Sequence, residues 1–176
     1  NPAALNRMSN PFLLAAIYWL HMLATVLWIG GLLSQSLLAL PAARKVLPQE
    51  LHLAFTLEYS RRLQTLGWFS LAVLALTGMF QMSAHPQYQG FLVVNSLWGW
   101  ALLIKHGLIL LMAAVNAWLA WALLPDLRRL AGLSETGREK HAGRLERLKV
   151  LEARLLWVNL GLSALVLAFT ALARAS

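Results

Sequence analysis

A histidine within a long apolar run is the first residue in this sequence that could support chemistry. His21 lies in the stretch YWLHMLATVLWIGGLL, and residues 8–43 contain no Asp, Glu, Lys or Arg. Ionisable side chains are costly in hydrocarbon and usually serve a function where they occur. The His21 imidazole could bind a metal ion, ligate a haem iron or hydrogen-bond a neighbouring helix, and the sequence leaves these roles open.

A second group of potential ligands lies in the sequence LTGMFQMSAH. Met79, Met82 and His85 follow one another at intervals of three residues, which places them loosely on one face of a helix. Thioether and imidazole groups together suit Cu(I), which prefers soft ligands. Methionine is also a common packing residue in apolar helices, so packing is the alternative for this group.

Lys105 and His106 are a third group, because they interrupt another apolar run. Helical spacing puts Lys105 on one face with Met112 and Asn116, and it rotates His106 from that face by about 100°. The Lys105 ammonium could join a site or extend along the helix to the lipid headgroups.

The composition indicates membrane-spanning helices, and these helices must position the candidate side chains. Hydrophobic residues make up 59% of the chain and charged residues only 12%, and the mean hydropathy is +0.61. Four apolar runs, near residues 11–40, 62–83, 96–124 and 153–173, are long enough to cross a hydrocarbon core of about 30 Å. The sequence therefore predicts an all-α membrane protein, a single bundle of four transmembrane helices.

Prolines and basic residues mark the predicted helix ends. Pro41 is expected to end the first helix and Pro125 the third, since proline disfavours helix in the residue before it. Arg61 and Arg62 are expected to begin the second helix at the headgroup level. The charged segment after Pro125 is predicted to be helical and to continue into the fourth helix.

These ends predict a common level for the candidate ligands. Equal numbers of residues separate His21 from Pro41, Lys105 from Pro125, and Met82 from the predicted start of the second helix at Arg62. At about 1.5 Å per residue, the three side chains are expected at one height, near the outer face of the membrane.

The distribution of charge predicts the orientation of the chain. The net charge is +8, and most of the Lys and Arg residues lie in the first and third connections, whereas only Arg7 and Arg174 lie at the opposite end. The positive-inside rule places the basic connections in the cytoplasm and both termini outside, in a bacterial inner membrane. Because the orientation in the membrane accounts for the positive charge, no nucleic-acid partner is expected. The absence of cysteine excludes disulfides and thiolate metal sites.

The remaining ionisable residues are expected to have structural roles. His52 and His141 lie in the charged connections and are predicted to be solvated. Glu152 stands between Lys149 and Arg154, which predicts an ion pair at the membrane boundary.

One face of the first helix is expected to point into the bundle. Gly30 and Gly31 lie beside this face and are expected to allow a neighbouring helix to approach closely. The face contains residues at helical spacing: His21, Thr25, Trp28, Leu32 and Gln35.

Four motifs in this order resemble the copper resistance protein D (CopD) family. They are HMLATVLWIGGLL, RRLQTLGWFSLAVLALTG, Tyr88 with LLIK and Asn116, and LEARLLWVNLGLSALVLAF. The resemblance implies a four-helix membrane bundle associated with copper uptake or tolerance. The family's motif positions correspond here to His21, Trp28, Gly30, Gly31, Thr77, Gly78, Lys105, Asn116 and Glu152.

A more distant similarity is to HemJ, the four-helix membrane protoporphyrinogen oxidase. That family also pairs a histidine in the first helix with a lysine in the third, and the resemblance implies a link to haem b.

Three functions follow as hypotheses. The first is copper handling through an outer His/Met site made of His21, Met22, Met79, Met82, His85 and His106. The second is a b-type haem protein or haem-linked redox protein that uses His21 and His106, with Lys105 nearby, since bundles commonly hold cofactors between facing helices. The third is a non-catalytic accessory subunit of a larger membrane complex. The expected partners are membrane lipid and a larger membrane complex or a periplasmic copper or redox protein.

Overall fold

Four long helices form the fold in the computed structural model, which describes residues 11–84 and 96–175. They are α1 (Pro11–Val46), α2 (Gln49–Ser83), α3 (Leu97–Ala131) and α5 (Ala142–Ala175), and the short α4 (Glu135–Lys140) lies before the last. Each long helix is long and apolar enough to cross a membrane, and each contains an 18-residue stretch with a mean hydropathy between 1.5 and 2.0. The predicted all-α bundle with four spans is confirmed.

Pro41 does not end the first helix, contrary to the sequence prediction. The α1 backbone widens into a π-helical turn at Ser34–Ala39 and then continues as α-helix through Leu40–Val46. A proline ring clashes with the carbonyl four residues earlier, here that of Leu37. Because Leu37 lies within the widened turn, the helix accommodates the ring and continues.

Pro125 is accommodated in the same way, so the predicted end of the third helix is also wrong. A π-helical turn at Leu119–Leu123 precedes the segment Leu124–Ala131, and it contains Trp121, whose carbonyl would meet the proline ring. Pro48, by contrast, follows directly on the end of a helix. Leu47, just before it, is extended at φ −95° and ψ 140°, as expected for a residue that precedes proline.

Helix α2 begins at Gln49, well before the predicted start at Arg61 and Arg62. Those arginines are exposed within the helix, where both bind the Glu58 carboxylate at 2.8–2.9 Å. The first connection is thus reduced to the residues around Pro48. As predicted, the charged segment after α3 is largely helical, and its second part belongs to α5.

The bundle consists of two tightly packed helix pairs, α1 with α2 and α3 with α5. Between the pairs lies an apolar core that contains Trp28 and Leu32 from α1, Met112 from α3 and Leu156 from α5. Many other large apolar side chains are exposed, such as Phe12 at 84% and Trp121 at 74%. Such exposure is expected of surfaces that face lipid.

Small residues bring α1 and α2 together, as predicted for Gly31 but not for Gly30. A Cβ added to Gly31 would lie 3.4 Å from Leu63, and one added to Gly67 would lie 3.3 Å from the Trp28 ring. Nothing lies within 4 Å of a Cβ added to Gly30. The difference arises because Gly31 is on the face toward α2, while Gly30, one residue earlier, is on the exposed side.

Candidate functional site

His21 is held between α1 and α2 by one hydrogen bond. Its Nδ1 lies 2.8 Å from the Oγ1 of Thr77, and the ring is only partly exposed. The other residues of the predicted α1 face also point inward, and Trp28, Leu32 and Gln35 are buried. The sequence prediction for this face is confirmed.

The direction of the hydrogen bond follows from the second contact of Thr77. Its Oγ1 lies 2.6 Å from the carbonyl oxygen of Val73, which can only accept a hydrogen bond. Thr77 has a single hydroxyl proton and donates it to Val73, so the His21 Nδ1–H must donate to Thr77. In a neutral imidazole the lone pair is then on Nε2. A histidine that ligates a metal commonly has this arrangement, in which its other ring N–H is held by a fixed acceptor.

Gly78 forms the surface under the His21 ring. A Cβ added to Gly78 would lie 3.4 Å from the Cε1 of His21, which is ordinary van der Waals contact. The two residues of the motif Thr77-Gly78 thus contact the same imidazole, one by a hydrogen bond and the other by close packing.

Two cations share the level of His21. Lys105 on α3 and Arg174 on α5 both lie close enough to interact electrostatically with His21. The Arg174 guanidinium also lies over the Tyr18 ring, 5.6 Å from its centroid, in a cation–π contact. Three helices therefore contribute ionisable groups to this end of the bundle, and the predicted common level of His21 and Lys105 agrees with this placement.

The structure separates the methionines of the predicted site. Met82 is buried at 7% exposure, whereas Met22 and Met79 are 64% and 63% exposed on the outside of the bundle. Three residues turn a helix by about 300°, so Met79 and Met82 are about 60° apart on loosely the same face, yet their exposures differ. His85 lies outside the described residues.

His106 is held by its own helix. Its Nδ1 lies 2.7 Å from the carbonyl oxygen of Leu102, so this nitrogen is the N–H donor. Within residues 11–84 and 96–175, no three His, Asp or Glu side chains are grouped as metal ligands.

A second polar level, which sequence reasoning missed, lies toward the other end of the bundle. Gln35 of α1 donates from Nε2 to the Ser60 Oγ of α2 at 2.8 Å, and Ser60 donates to the Glu152 carboxylate of α5 at 3.4 Å. All three side chains are buried. Ser60 precedes Arg61, the predicted start of the second helix, so the sequence prediction leaves it outside the bundle.

The predicted boundary ion pair of Glu152 is wrong. Glu152 is only 5% exposed, and Lys149 lies instead 3.6 Å from the exposed Glu146. Arg154 is displaced from Glu152 by about 200° around the helix and is exposed. Glu152 therefore points into the bundle, while Lys149 pairs with Glu146.

A cavity of about 50 Å³ connects this buried level to α3. Besides Gln35, Ser60 and Glu152, its lining includes Gln64 and Asn116, and the Asn116 Nδ2 has no hydrogen-bond partner among the described residues. A space of this size with several polar groups in a largely apolar lining can hold water. One sequence signal could have revealed this level, a helical run of small or polar residues on α2: Thr56, Ser60, Gly67, Ser70 and Thr77.

The two remaining histidines differ. His141 is exposed, as predicted. His52 is partly buried, and its Nε2 is shielded from solvent with no partner among the described residues, so the prediction of a solvated side chain is wrong. The reason is the early start of α2, which places His52 within a packed helix.

A comparison with known protein families identifies the family of this chain. The sequence model of the family described as copper resistance protein D matches residues 57–173. The chain belongs to the CopD family. Comparisons with curated proteins and with solved structures returned no match.

The CopD match covers most of α2, all of α3 and most of α5. It therefore includes Thr77, Gly78 and Lys105 at the level of His21, and Ser60, Asn116 and Glu152 at the second level, whereas Arg174 lies just beyond it. His21 lies outside the matched range, and its connection to the family motif is the contact with Thr77 and Gly78. Family membership indicates a multi-pass membrane protein of copper resistance.

Proposed function

We propose that this CopD protein handles copper in uptake or tolerance, and that His21 is the first imidazole ligand, at the outer end of the bundle. The observation that carries the proposal is the chain of hydrogen bonds from His21 through Thr77 to the Val73 carbonyl. It orients the ring and directs the Nε2 lone pair away from Thr77, as a metal ligand requires.

The surrounding donors favour a soft ion. Met82 is the buried methionine of the group, and it lies one helical turn beyond Gly78, which contacts the His21 ring. An imidazole with a thioether suits Cu(I). The exposed Met22 and Met79 would serve capture from outside rather than the same coordination shell, and His85 and His106 remain proposed ligands.

The cations at this level favour transient binding. Lys105 and Arg174 repel a metal cation at His21, which weakens binding and speeds release. A protein that transfers copper needs such release, whereas a storage site does not.

The test is equilibrium dialysis of the purified protein against Cu(I) under reducing conditions, with metal analysis of the protein compartment. We expect a ratio near one copper per protein, and we expect His21→Ala to abolish retention. His141→Ala is the matched control, because His141 is exposed and remote from this level. A wild-type ratio near zero, or equal retention by His21→Ala, would contradict the proposal.

We further propose a bacterial inner-membrane location with both termini outside, because the basic connections cluster at one end. The chain has no cysteine, so single-cysteine variants report orientation directly. Ser134→Cys, between α3 and α4, should react with an impermeant maleimide only after the membrane is opened. Ala175→Cys, at the end of α5, should react in intact cells.

A haem b protein is the second candidate, because both His21 and His106 hold Nδ1 in a hydrogen bond, to Thr77 and to the Leu102 carbonyl respectively. This arrangement is also suitable for axial ligands of haem iron. A Soret band in protein produced with ample haem, lost in His21→Ala and His106→Ala, would favour haem over copper.

The accessory-subunit function is the third candidate, and the large exposed apolar surface is compatible with it. It predicts copurification with a larger complex and neither copper nor haem in the sample. A copper-loaded chain isolated alone would exclude it.

A further inference from the structure

A large basic cavity opens at the opposite end of the bundle from His21. It has a volume of about 530 Å³ and lies between the end of α1, the start of α2 and the first turns of α5. Among the side chains that the structure describes, the charged ones that line it are Arg44, Lys149, Arg154 and Glu146. His52 also lines the cavity.

Two of these cations lie near His52 and come from different helices. Arg44 of α1 and Lys149 of α5 both act electrostatically on His52 of α2. The Lys149 side chain is only 18% exposed, and its carboxylate neighbour Glu146 is 3.6 Å away and 68% exposed. A single solvated carboxylate compensates little of this charge, so the cavity favours a further anion.

The rest of the lining is apolar and continues along α5. Val150, Ala153 and Trp157 follow one another at helical spacing, and Val150 and Trp157 are 43% and 55% exposed. An anion bound at the cations would therefore lie directly beside an apolar strip on the outside of a membrane-spanning helix. This combination fits a ligand with a charged head and a hydrocarbon tail.

We propose that this cavity binds the phosphate headgroup of an acidic phospholipid, with its acyl chains along the strip of Val150, Ala153 and Trp157. Arg44, Lys149 and Arg154 hold the phosphate. Basic pockets between membrane helices commonly recognise anionic headgroups. The lipid would join α1, α2 and α5 at the end where the connecting segments are short.

The test measures lipid retained by the purified protein in native mass spectrometry, with phosphatidylglycerol and phosphatidylcholine as probes. We expect the wild-type protein to retain phosphatidylglycerol selectively. Arg44→Gln with Lys149→Gln should weaken retention about 30-fold, since each basic residue near a membrane surface contributes about a fivefold factor. Lys149→Arg, which preserves the charge, should retain the lipid.

The matched control is Arg128→Gln with Arg129→Gln, which removes the same charge from exposed positions at the same end of the bundle and outside the cavity lining. An equal loss of lipid in this control would show that the lipid responds to the overall positive charge of this end of the bundle and not to the cavity, which would overturn the proposal. Inorganic phosphate is the competitor, and displacement of the lipid at millimolar phosphate would show a site for a soluble anion. Trp157→Ala should weaken lipid retention, and unchanged retention would contradict the assigned path of the acyl chains.

Discussion

The two polar levels of the bundle differ in the way their side chains are satisfied. At the level of His21, called the outer level after the proposed orientation, one hydrogen bond to Thr77 holds the ring, and two cations from other helices lie near it. At the inner level, Gln35, Ser60 and Glu152 form a buried chain of hydrogen bonds that joins three helices. The outer arrangement leaves a lone pair available for a ligand, whereas the inner one uses its polar atoms to connect helices and to line a cavity.

This difference implies that the two levels respond differently to substitution. Loss of an outer side chain should change copper retention with little effect on the fold. Loss of an inner side chain should destabilise the bundle, because buried polar atoms then lack partners. The following substitutions test this division.

The largest effect is expected at Trp28, whose ring packs on Gly67 and lines the inner cavity. Trp28→Ala should lower the free energy of unfolding by about 3–5 kcal/mol, since it leaves a large void in a packed interior. Unfolding of the purified protein in mixed micelles measures this change. Trp121→Ala is the control, because Trp121 is 74% exposed, and a comparable loss there would mean that burial does not determine the effect.

Thr77→Val tests the outer level. Valine has the shape of threonine but cannot accept the His21 Nδ1–H, so copper affinity should fall about 10–100-fold while the helix pair remains packed. Competition with a Cu(I) chelator gives the affinity. Thr170→Val is the matched control, since Thr170 makes the same type of bond, to the Val166 carbonyl at 2.7 Å, but entirely within α5. Equal copper affinity of Thr77→Val and wild type would show that this hydrogen bond does not prepare His21 for copper binding.

Ser60→Ala tests the inner level. It removes the acceptor of Gln35 and the donor to Glu152, so we expect a loss of about 1–3 kcal/mol in stability. Copper retention should stay within about twofold of wild type, which is about 0.4 kcal/mol. Ser83→Ala at an exposed position should change neither quantity. Lost copper binding in a folded Ser60→Ala protein would show that the two levels are coupled.

The smallest effect is expected for alanine at two glycines. Gly30→Ala meets no atom within 4 Å, and Gly78→Ala places its Cβ at ordinary contact distance from His21. Both should change stability by less than about 1 kcal/mol. If Gly78→Ala alone lost copper retention, the His21 ring would need the close contact with α2 that only glycine at position 78 allows. The two levels would then differ in packing as well as in hydrogen bonding.

The sequence alone was sufficient for the number of spans and for the inward face of α1. Four apolar runs predict four helices because the bilayer sets their length, and the spacing of Trp28, Leu32 and Gln35 predicts one buried face. It also identified His21 as unusual, because polar side chains are rare in such runs. The resemblance to CopD followed from the order of the motifs, and the family match confirmed it.

Helix ends and side-chain partners depended on contacts that no local pattern contains. Pro41 and Pro125 are compatible with continuous helices only because the backbone widens before each of them. His21 is 56 residues from its partner Thr77 in the chain, and Glu152 is 92 residues from its partner Ser60. Composition and hydropathy thus determined the membrane bundle, whereas the packing of α1, α2 and α5 decided which polar side chains meet, because hydrogen bonds require distances that only the assembled helices define.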